Sequence, residues 1–418
     1  MSEAKFKSVA RFAVIAAVSL IGSTAITLAA DLGGNCCADL EERVAELEAT
    51  TARKGNRKVS LEISGHVNES FVFYRDGTDE GFAVMTNDHS RTRFRFKGDA
   101  KINADWSAGF LMEFGIRGTN RSDRITGADL NEKPGFDVRH EALYIASKSF
   151  GTIWLGHTSS ATDGITEICL GCFATQDTGK EDTLGSFVAR TSAGVALGSW
   201  RTLGSSQGAL NNGEGDRRDV VKYETPSIVG FKLSAAAGSD QFYDAAIRYS
   251  GEFGGFRIAA GVGYQWSTEQ PATADKGFAD NCLAVGGRVD CGALGVSGGV
   301  MHVSTGLYVH GSYGYIEDNN RLSDVDRDET WYVTAGINRT FFSLGKTNIY
   351  GDYLEARREI GLGAGARTGV RVYSAGIVQE IDAAASEIYL YWQRFEGLEA
   401  ASAAVELDAV VGGMRMKF

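Results

Sequence analysis

The clearest chemical pattern in this chain is the segment Arg91–Lys97, in which a basic residue stands at every second position. Alternate residues of a β-strand point to one side, so the cations would share one face and Phe94 and Phe96 the other. A row of fixed cations attracts and orients anions but performs no covalent chemistry by itself. The basic members are Arg91, Arg93, Arg95 and Lys97.

Acidic residues occur along a second segment, residues 157–215, and further basic residues lie outside it. The acidic set is Asp163, Glu167, Asp177, Glu181 and Asp182, and the further basic set is Arg117, Arg218 and Lys222. If folding places the two signs on opposite sides of a water-filled space, they create a transverse field that polar solutes tolerate and apolar solutes do not. The alternative interpretation is that each charge is an ordinary solvated loop or rim residue.

The six cysteines allow either disulfides or metal and redox chemistry. Cys169 and Cys172 form a Cys-x-x-Cys motif, and Cys282 and Cys291 lie further along the chain. No βαβ pattern or flanking His supports a redox or metal site. In an exported chain disulfides are the default, and pairing within each set would fix two loops, but the sequence leaves the pairing of these four residues open.

No catalytic or cofactor-binding set is evident. The six His residues are scattered, none forms an H-E-x-x-H motif, and the Gly-rich segments open no helix. His157 beside Thr158, Ser159 and Ser160 is the one faint candidate for a nucleophile and base. We therefore predict a protein without metal or cofactor that is not an enzyme.

Composition excludes several classes of protein. The chain has 418 residues, 53 of them Gly and 3 Pro, and a formal net charge of −11, which is opposite to that of a nucleic-acid binder. A hydrophobic content of 43% excludes disorder. Past residue 30 no apolar run is long enough for a membrane helix, but a membrane β-barrel is compatible with the mean hydropathy of −0.15.

The first 58 residues differ from the rest. Lys5, Lys7 and Arg11 precede an apolar stretch that ends at Ala29 and Ala30, which predicts a cleaved export signal over residues 1–30. Residues 31–58 carry apolar residues at helical spacing and are either a short periplasmic coiled coil or a solvated linker.

Residues 59–418 alternate between apolar and polar residues, which predicts an all-β chain. About sixteen segments are expected, joined alternately by short turns and long polar loops, with Tyr, Trp and Phe near the strand ends. A soluble sandwich shows the same alternation, but the aromatic placement and the unequal connections favour a transmembrane antiparallel β-barrel. The stretch Ser186–Trp200 is ambiguous and is assigned to a long loop.

Several segments resemble the general bacterial outer-membrane porins, most closely those of alphaproteobacteria. They are His66–Tyr74, Arg91–Gly98, Phe150–Gly156, Lys222–Pro226 with Phe231–Gly238, and the last strand, which ends at Phe418. The resemblance implies a homotrimer of 16-stranded barrels in outer-membrane lipid, each a passive diffusion pore. It also implies that a third external loop, from after Gly156 to about Arg217, folds into the lumen. A terminal aromatic residue is similar to the signal read by the barrel-assembly machinery.

Three functions follow from these patterns. The first is a general porin for small hydrophilic solutes and ions, mildly cation-selective because the chain is acidic. The second is an outer-membrane barrel enzyme centred on His157. The third is a channel specific for a sugar or an anion, with an aromatic track formed by Trp154, Tyr350, Tyr389 and Tyr391.

Overall fold

The computed structural model describes residues 58–418 except 119–124, 126–134, 174–181, 207, 240, 270–281, 321–326, 361 and 363–365. The predicted export signal and all but the last residue of the predicted helical segment therefore lie outside the described residues. In the part of the chain that is described, no helix has the length and apolarity to cross a bilayer.

The described chain is built almost entirely of strands. They are β1 (Ser60–Arg75), β2 (Glu80–Thr86), β3 (Arg93–Lys101), β4 (Trp106–Arg117), β5 (Gly135–Ser147), β6 (Gly151–Ser159), β7 (Val188–Arg190), β8 (Ala196–Ser199), β9 (Arg217–Glu224), β10 (Phe231–Gly238), β11 (Phe242–Phe253), β12 (Phe256–Glu269), β13 (Arg288–His302), β14 (Leu307–Asp318), β15 (Arg327–Phe342), β16 (Gly345–Arg358), β17 (Thr368–Ile381), β18 (Ser386–Glu399) and β19 (Leu407–Lys417). Two short helices, α1 (Asp182–Gly185) and α2 (Trp200–Gly204), and a 3₁₀ turn, Asp382–Ala384, complete the elements.

The strands close into a barrel. Each wall strand pairs antiparallel with the next, and β19 returns to pair with β1 from His66↔Lys417 to Arg75↔Asp408. The other edge of β1 pairs with β3 and then with β2, so those two strands are pieces of one barrel strand. With β7 and β8 forming a separate two-stranded sheet, the barrel has sixteen strands, which confirms the predicted fold.

The break between β2 and β3 was not predicted. Side chains of β1 fill the gap that it leaves: the Asn68 amide donates from Nδ2 to the carbonyl oxygens of His89 and Ser90, each at 3.0 Å. The backbone N–H of Asn68 donates to Oγ1 of Thr92 at 2.9 Å. These bonds replace the ladder that the interrupted strand cannot make.

The two ends of the barrel differ in their connections. One end, here called the turn end, carries the short links, among them residues 102–105, 148–150, 254–255 and 343–344. The opposite end, the loop end, carries the longest connections, including residues 118–134, 160–216 and 270–287. This asymmetry matches the prediction and is typical of outer-membrane barrels.

The outer face of the wall is apolar and exposed. Leu143, Ile153 and Leu155 are more than half exposed, at 61%, 54% and 58%. Exposed aromatic side chains lie near the strand ends: Tyr223, Phe231, Phe253, Phe256, Tyr264, Trp266, Trp331 and Phe341. A continuous exposed surface of this kind suits hydrocarbon and not water.

The inner face is not uniformly polar, in contrast to the simple alternation expected from the sequence. From β15 to β19 and on β1 it carries buried apolar side chains, including Val72, Leu354, Val372, Phe395 and Val411. These side chains pack with Leu184, Phe187 and Trp200 of the long connection between β6 and β9. The reason is burial: the connection brings large apolar side chains into the lumen and needs an apolar wall to cover them.

Candidate functional site

The connection between β6 and β9, residues 160–216, is here called the inner loop, and its described residues lie inside the barrel. Its first arm, residues 160–173, follows the inner wall across several strands. The carboxylate of Asp244 accepts from both the N–H and the hydroxyl of Thr162 at 2.8 Å. Arg248 donates to the carbonyl oxygens of Ala161 and Asp163, each at 2.7 Å. The first arm is therefore bound through its backbone to β11.

The same arm is held further along the wall. Ser297 on β13 donates to the carbonyl oxygen of Ile165 at 2.6 Å. Asn338 on β15 donates to that of Gly171 at 2.8 Å. Around the second point, Cys169 and Cys172 are joined by a disulfide, with a Cα–Cα distance of 5.6 Å. The inner loop thus adheres to the wall from β10 to β15.

Glu214 ties the end of the inner loop back to its beginning. Its carboxylate accepts from the N–H of Ile165 at 3.0 Å and of Thr166 at 2.7 Å, and also from the Thr166 hydroxyl. Burial, reinforced by the nearby carboxylate of Asp163, raises the pKa of Glu214 to about 7. Burial also raises the pKa of Asp163, although Arg217 opposes that shift.

The second arm of the inner loop, residues 182–206 and 208–213, packs on the wall from β15 to β19 and on β1. Thr183 in α1 donates to Oδ1 of Asn87 at 2.8 Å. The Phe187 ring meets that of Tyr74 edge-on at 5.2 Å between centroids. The N–H of Ser206 donates to Asp328 on β15 at 2.6 Å. The stretch Ser186–Trp200, assigned to loop from its sequence, contains the small hairpin β7–β8.

A cluster of three arginines surrounds one carboxylate on the wall formed by β3, β4 and β5, and is here called the arginine cluster. Oε1 of Glu113 lies 2.7 Å from Nε of Arg139 and 3.4 Å from Nη1 of Arg93. Oε2 of Glu113 accepts from Nε of Arg95 at 2.7 Å. The Glu113 side chain is 1% exposed, whereas that of Arg95 is 43% exposed. Three guanidinium groups thus share a single buried negative charge.

A β-bulge creates this arrangement. Glu113 pairs with His140 and the next residue, Phe114, pairs with Val138, so Arg139 is the extra residue on β5. A bulge redirects a side chain relative to the regular alternation, and here the Arg139 guanidinium reaches Glu113. The position of Arg93 and Arg95 on one face of β3 follows the predicted alternation, since Phe94 on the other face stacks on Phe114 at 5.3 Å.

Arg91 and Arg217 extend the arginine cluster but have their own partners. Arg91 forms ion pairs with Asp137 at 3.1 Å and with Asp88 at 3.5 Å. Arg217 at the start of β9 lies 3.9 Å from the carboxylate of Asp163 in the inner loop. The structure therefore brings the predicted basic residues of β3 and the first acidic residue of the inner loop into one neighbourhood.

The other predicted charges are dispersed. Lys97 is exposed on β3. Arg218 lies over the ring of Phe242 at 4.5 Å, and Lys222 forms an ion pair with Glu224 at 3.5 Å. Glu167 is partly buried in the first arm of the inner loop. Asp177 and Glu181 lie outside the described residues, as do the side chains of Arg117 and Asp182.

Several important residues were missed from the sequence. Glu113, Asp244 and Asp328 are acidic residues within alternating strands and form no motif in the sequence. The Arg139 side chain reaches Glu113 only because of the bulge. The signal for Glu113 was present, because it lies directly opposite Arg95 in the register of β3 and β4. No comparable signal marks Glu214, whose partners lie 48 and 49 residues away.

Three further expectations can be compared with the structure. Cys282 and Cys291 form the second disulfide, with a Cα–Cα distance of 6.4 Å, so pairing is within each set. Tyr350, Tyr389 and Tyr391 are 4%, 2% and 1% exposed and cannot form an accessible aromatic track. His157, the faint candidate for a base, has its Nδ1 atom 3.0 Å from Oδ1 of Asp219.

Comparison with known proteins identifies one family. The sequence model described as "Gram-negative porin" matches residues 13–391. No curated protein sequence matches the chain significantly.

Solved structures with the same fold are numerous. The chain is similar to an anion-selective porin from Comamonas acidovorans, with 14% identity and a TM-score of 0.56 over 86% of this chain and 100% of that one. It is also similar to OmpT, an outer membrane protein of Vibrio cholerae, with 13% identity and a TM-score of 0.55 over 87% and 99%. A third similar structure is the outer membrane channel DcaP of Acinetobacter baumannii, with 10% identity and a TM-score of 0.55 over 88% of this chain and 100% of that one.

Proposed function

This chain belongs to the Gram-negative porin family, and we propose that the arginine cluster and the first arm of the inner loop together form the constriction of its channel. The protein is an outer-membrane porin, which conducts small hydrophilic solutes and ions passively through the barrel. A barrel of about sixteen strands leaves an aqueous lumen, and its narrowest part sets the selectivity.

The observation that carries the proposal is the sharing of Glu113 by three arginines. Two of the three positive charges around Glu113 are uncompensated within that contact, and the Arg95 side chain is the most exposed. On the inner loop, the carboxylate of Asp163 lies 3.9 Å from Arg217, next to the arginine cluster, and supplies the opposing charge. The result is a transverse field across the space between the loop and β3, in which polar solutes keep favourable interactions and apolar solutes do not.

A reversal-potential measurement tests this assignment. Arg93→Glu combined with Arg95→Glu reverses both charges, and we expect the selectivity of purified protein in a planar bilayer to move toward cations. Arg257→Glu is the matched control, because Arg257 lies next to the turn after β11 and pairs there with Glu252. An unchanged reversal potential in the double variant would remove the arginine cluster from the constriction.

The oligomer is proposed to be a homotrimer whose contacts include the outer face of β1–β5. Phe73 and Phe82 lie 4.7 Å apart on this face, and Phe94, Phe114 and Phe136 form a second group at 5.3 and 6.0 Å. Exposed Glu69 lies on the same face. A carboxylate facing hydrocarbon is unfavourable, and a second copy of the chain would cover it. A trimer form is described for OmpT of Vibrio cholerae, which shares the fold.

Export and assembly are further parts of the proposal. Residues 1–30 act as a cleaved signal, residues 31–58 lie in the periplasm, and the barrel-assembly machinery recognises the last strand with Phe418. The turn end then faces the periplasm, as in other barrels of this class. The proposed activity is transport without chemistry, because the chain belongs to a porin family. Stepwise currents in purified protein test it.

A further inference from the structure

A row of three side chains crosses the inner wall near the turn end. Tyr144, Trp154 and Lys222 lie directly opposite one another on β5, β6 and β9. They belong to the inner face, because Ile153 and Leu155 on either side of Trp154 are exposed on the outer face. This row, with the charged residues next to it, is here called the Trp154 row.

The Tyr144 and Trp154 rings are in contact, with centroids 4.8 Å apart and an angle of 45° between their planes. The Tyr144 hydroxyl donates to Asp99 at 2.8 Å. Its ring can reach that carboxylate because β4 has Gly109 at the intervening position, where a Cβ would lie 2.5 Å from the Tyr144 ring. The glycine therefore makes room for the Tyr144 ring, which is 7% exposed and packs beside the partly exposed Trp154 indole.

Charged groups flank the indole and neutralise one another. Nε1 of Trp154 donates to Glu224 at 3.2 Å. Glu224 also pairs with Lys222 at 3.5 Å and with Lys232 at 3.3 Å. The Lys222 ammonium lies 5.7 Å from the Trp154 ring centroid, while the Lys232 side chain is 45% exposed. Donors and acceptors thus stand beside one apolar surface with little net charge.

We propose that the Trp154 row is a saccharide-binding subsite in the lumen. The proposal rests on the porin function and adds a class of solute to it. The subsite is distinct from the arginine cluster, because Gly109 and Glu113 are four residues apart on β4, or roughly 13 Å along an extended strand. Solutes would meet the two sites one after the other.

The chemistry of the row selects for a sugar ring. A pyranose has a face of C–H groups that stacks on an indole and a rim of hydroxyls that both donate and accept. Glu224 and Asp99 accept from such hydroxyls, and Lys232 and the exposed Lys97 donate to them. A cation is less suited, because Lys222 already lies against the indole, and an anion would have to compete with the carboxylates for the lysines.

Exposure separates Trp154 from the other aromatic side chains of the inner face. Tyr308, Tyr350 and Tyr389 are 5%, 4% and 2% exposed. Trp154 is only partly buried. The first arm of the inner loop is hydrogen-bonded to Ser234 on β10 and Asp244 on β11, and its ion pair with Arg217 lies at the loop end of β9, five residues from Lys222. A solute in the lumen can therefore touch this indole.

Current block by a neutral sugar tests the subsite. Purified full-length protein in a planar bilayer is titrated with maltotriose at constant salt. We expect a saturable loss of current for the natural protein and a half-blocking concentration at least tenfold higher for Trp154→Ala, with Trp154→Phe in between. Trp331→Ala is the matched control, because Trp331 is 55% exposed on the outer face, and we expect no change in its block.

The outcomes separate this inference from the porin function. Stepwise conductance without sugar supports the channel, and its absence from protein shown to be folded would overturn both. A conducting natural protein without saturable block, or with the same block in Trp154→Ala, overturns the subsite alone. Saturable block by glutamate or arginine but not by maltotriose overturns the choice of a saccharide.

Discussion

Gly65 and Phe418 exchange two backbone hydrogen bonds, Gly65 N–H to the Phe418 carbonyl at 3.0 Å and Phe418 N–H to the Gly65 carbonyl at 3.1 Å. The last residue of the chain thus forms the final rung between β19 and β1. A Cβ on Gly65 would lie 2.7 Å from the Phe418 ring, so the ring lies over the glycine. The terminal aromatic side chain is therefore part of the closed wall.

Deletion of Phe418 removes both hydrogen bonds and the aromatic side chain together. We expect several-fold less folded barrel in the outer membrane, measured as the fraction of protein whose gel mobility changes on heating. Phe341→Ala is the control, because Phe341 is an exposed aromatic residue near the turn end of β15. Equal yields for the deletion and the control would contradict a role of Phe418 in closure.

Glu113→Gln should change selectivity in the direction opposite to arginine reversal. The substitution keeps the shape but removes the one negative charge that three guanidinium groups share, so the local charge rises by one. We expect the reversal potential under a salt gradient to shift toward anions. Glu252→Gln, at the turn end with 53% exposure, should leave it unchanged. A shift toward cations would contradict the proposed field.

Glu214 should make the attachment of the inner loop depend on pH. Its pKa of about 7 in the folded protein exceeds its ordinary value of 4.5 because the carboxylate is buried. Its contribution to stability is therefore complete below about pH 4.5 and is lost as pH rises through about 7.

The test compares thermal unfolding of natural protein and Glu214→Gln at pH 5 and at pH 8.5. Because glutamine does not titrate, we expect the advantage of the natural protein over the variant to be larger at pH 5. Titrating groups remote from Glu214 cancel in this comparison, whereas the neighbouring carboxylate of Asp163 is part of the measured effect. An advantage that is equal at both pH values, or larger at pH 8.5, would show that Glu214 is not the titrating group.

Trp200→Ala should detach the second arm of the inner loop from the wall. Trp200 is fully buried and its ring lies 5.8 Å from that of Phe395 on β18. Truncation of a buried Trp costs about 3–5 kcal/mol. We expect faster proteolytic cleavage within residues 186–205 and noisier open-channel current. Val195→Ala, at a position 59% exposed, is the control and should behave like the natural protein.

Most of the barrel could be predicted from the sequence because strand alternation is a local signal. The wall strands, their order and the turns such as Asp382–Ala385 all follow from period-two patterns and turn residues. The break between β2 and β3 could not be predicted, since it depends on Asn68, which is distant in sequence. The alternation is also weaker where the inner faces of β16–β19 carry buried apolar side chains such as Leu354, Val372 and Val411.

The candidate site could be predicted only in part. The shared face of Arg93 and Arg95 is a local property of one strand. Their partner Glu113 depends on register, and the contribution of Arg139 depends on a bulge that no composition signal marks. The attachment points of the inner loop are harder still, because each joins residues separated by tens of positions through single side chains such as Asp244 and Asp328.

The inner loop packs on one side of the lumen, and the water path therefore lies away from the barrel axis. The loop covers the wall from β10 onward, so the proposed path of the ions runs beside β3, β4 and β5. Successive side chains of a strand point to opposite faces, so Arg93 and Arg95 on the inner face of β3 alternate with Phe94 and Phe96 on its outer face. A substitution of Phe94 or Phe96 on the outer face of β3 would therefore shift the backbone that also carries Arg93 and Arg95. It would change ion conduction although the substituted side chain does not line the lumen.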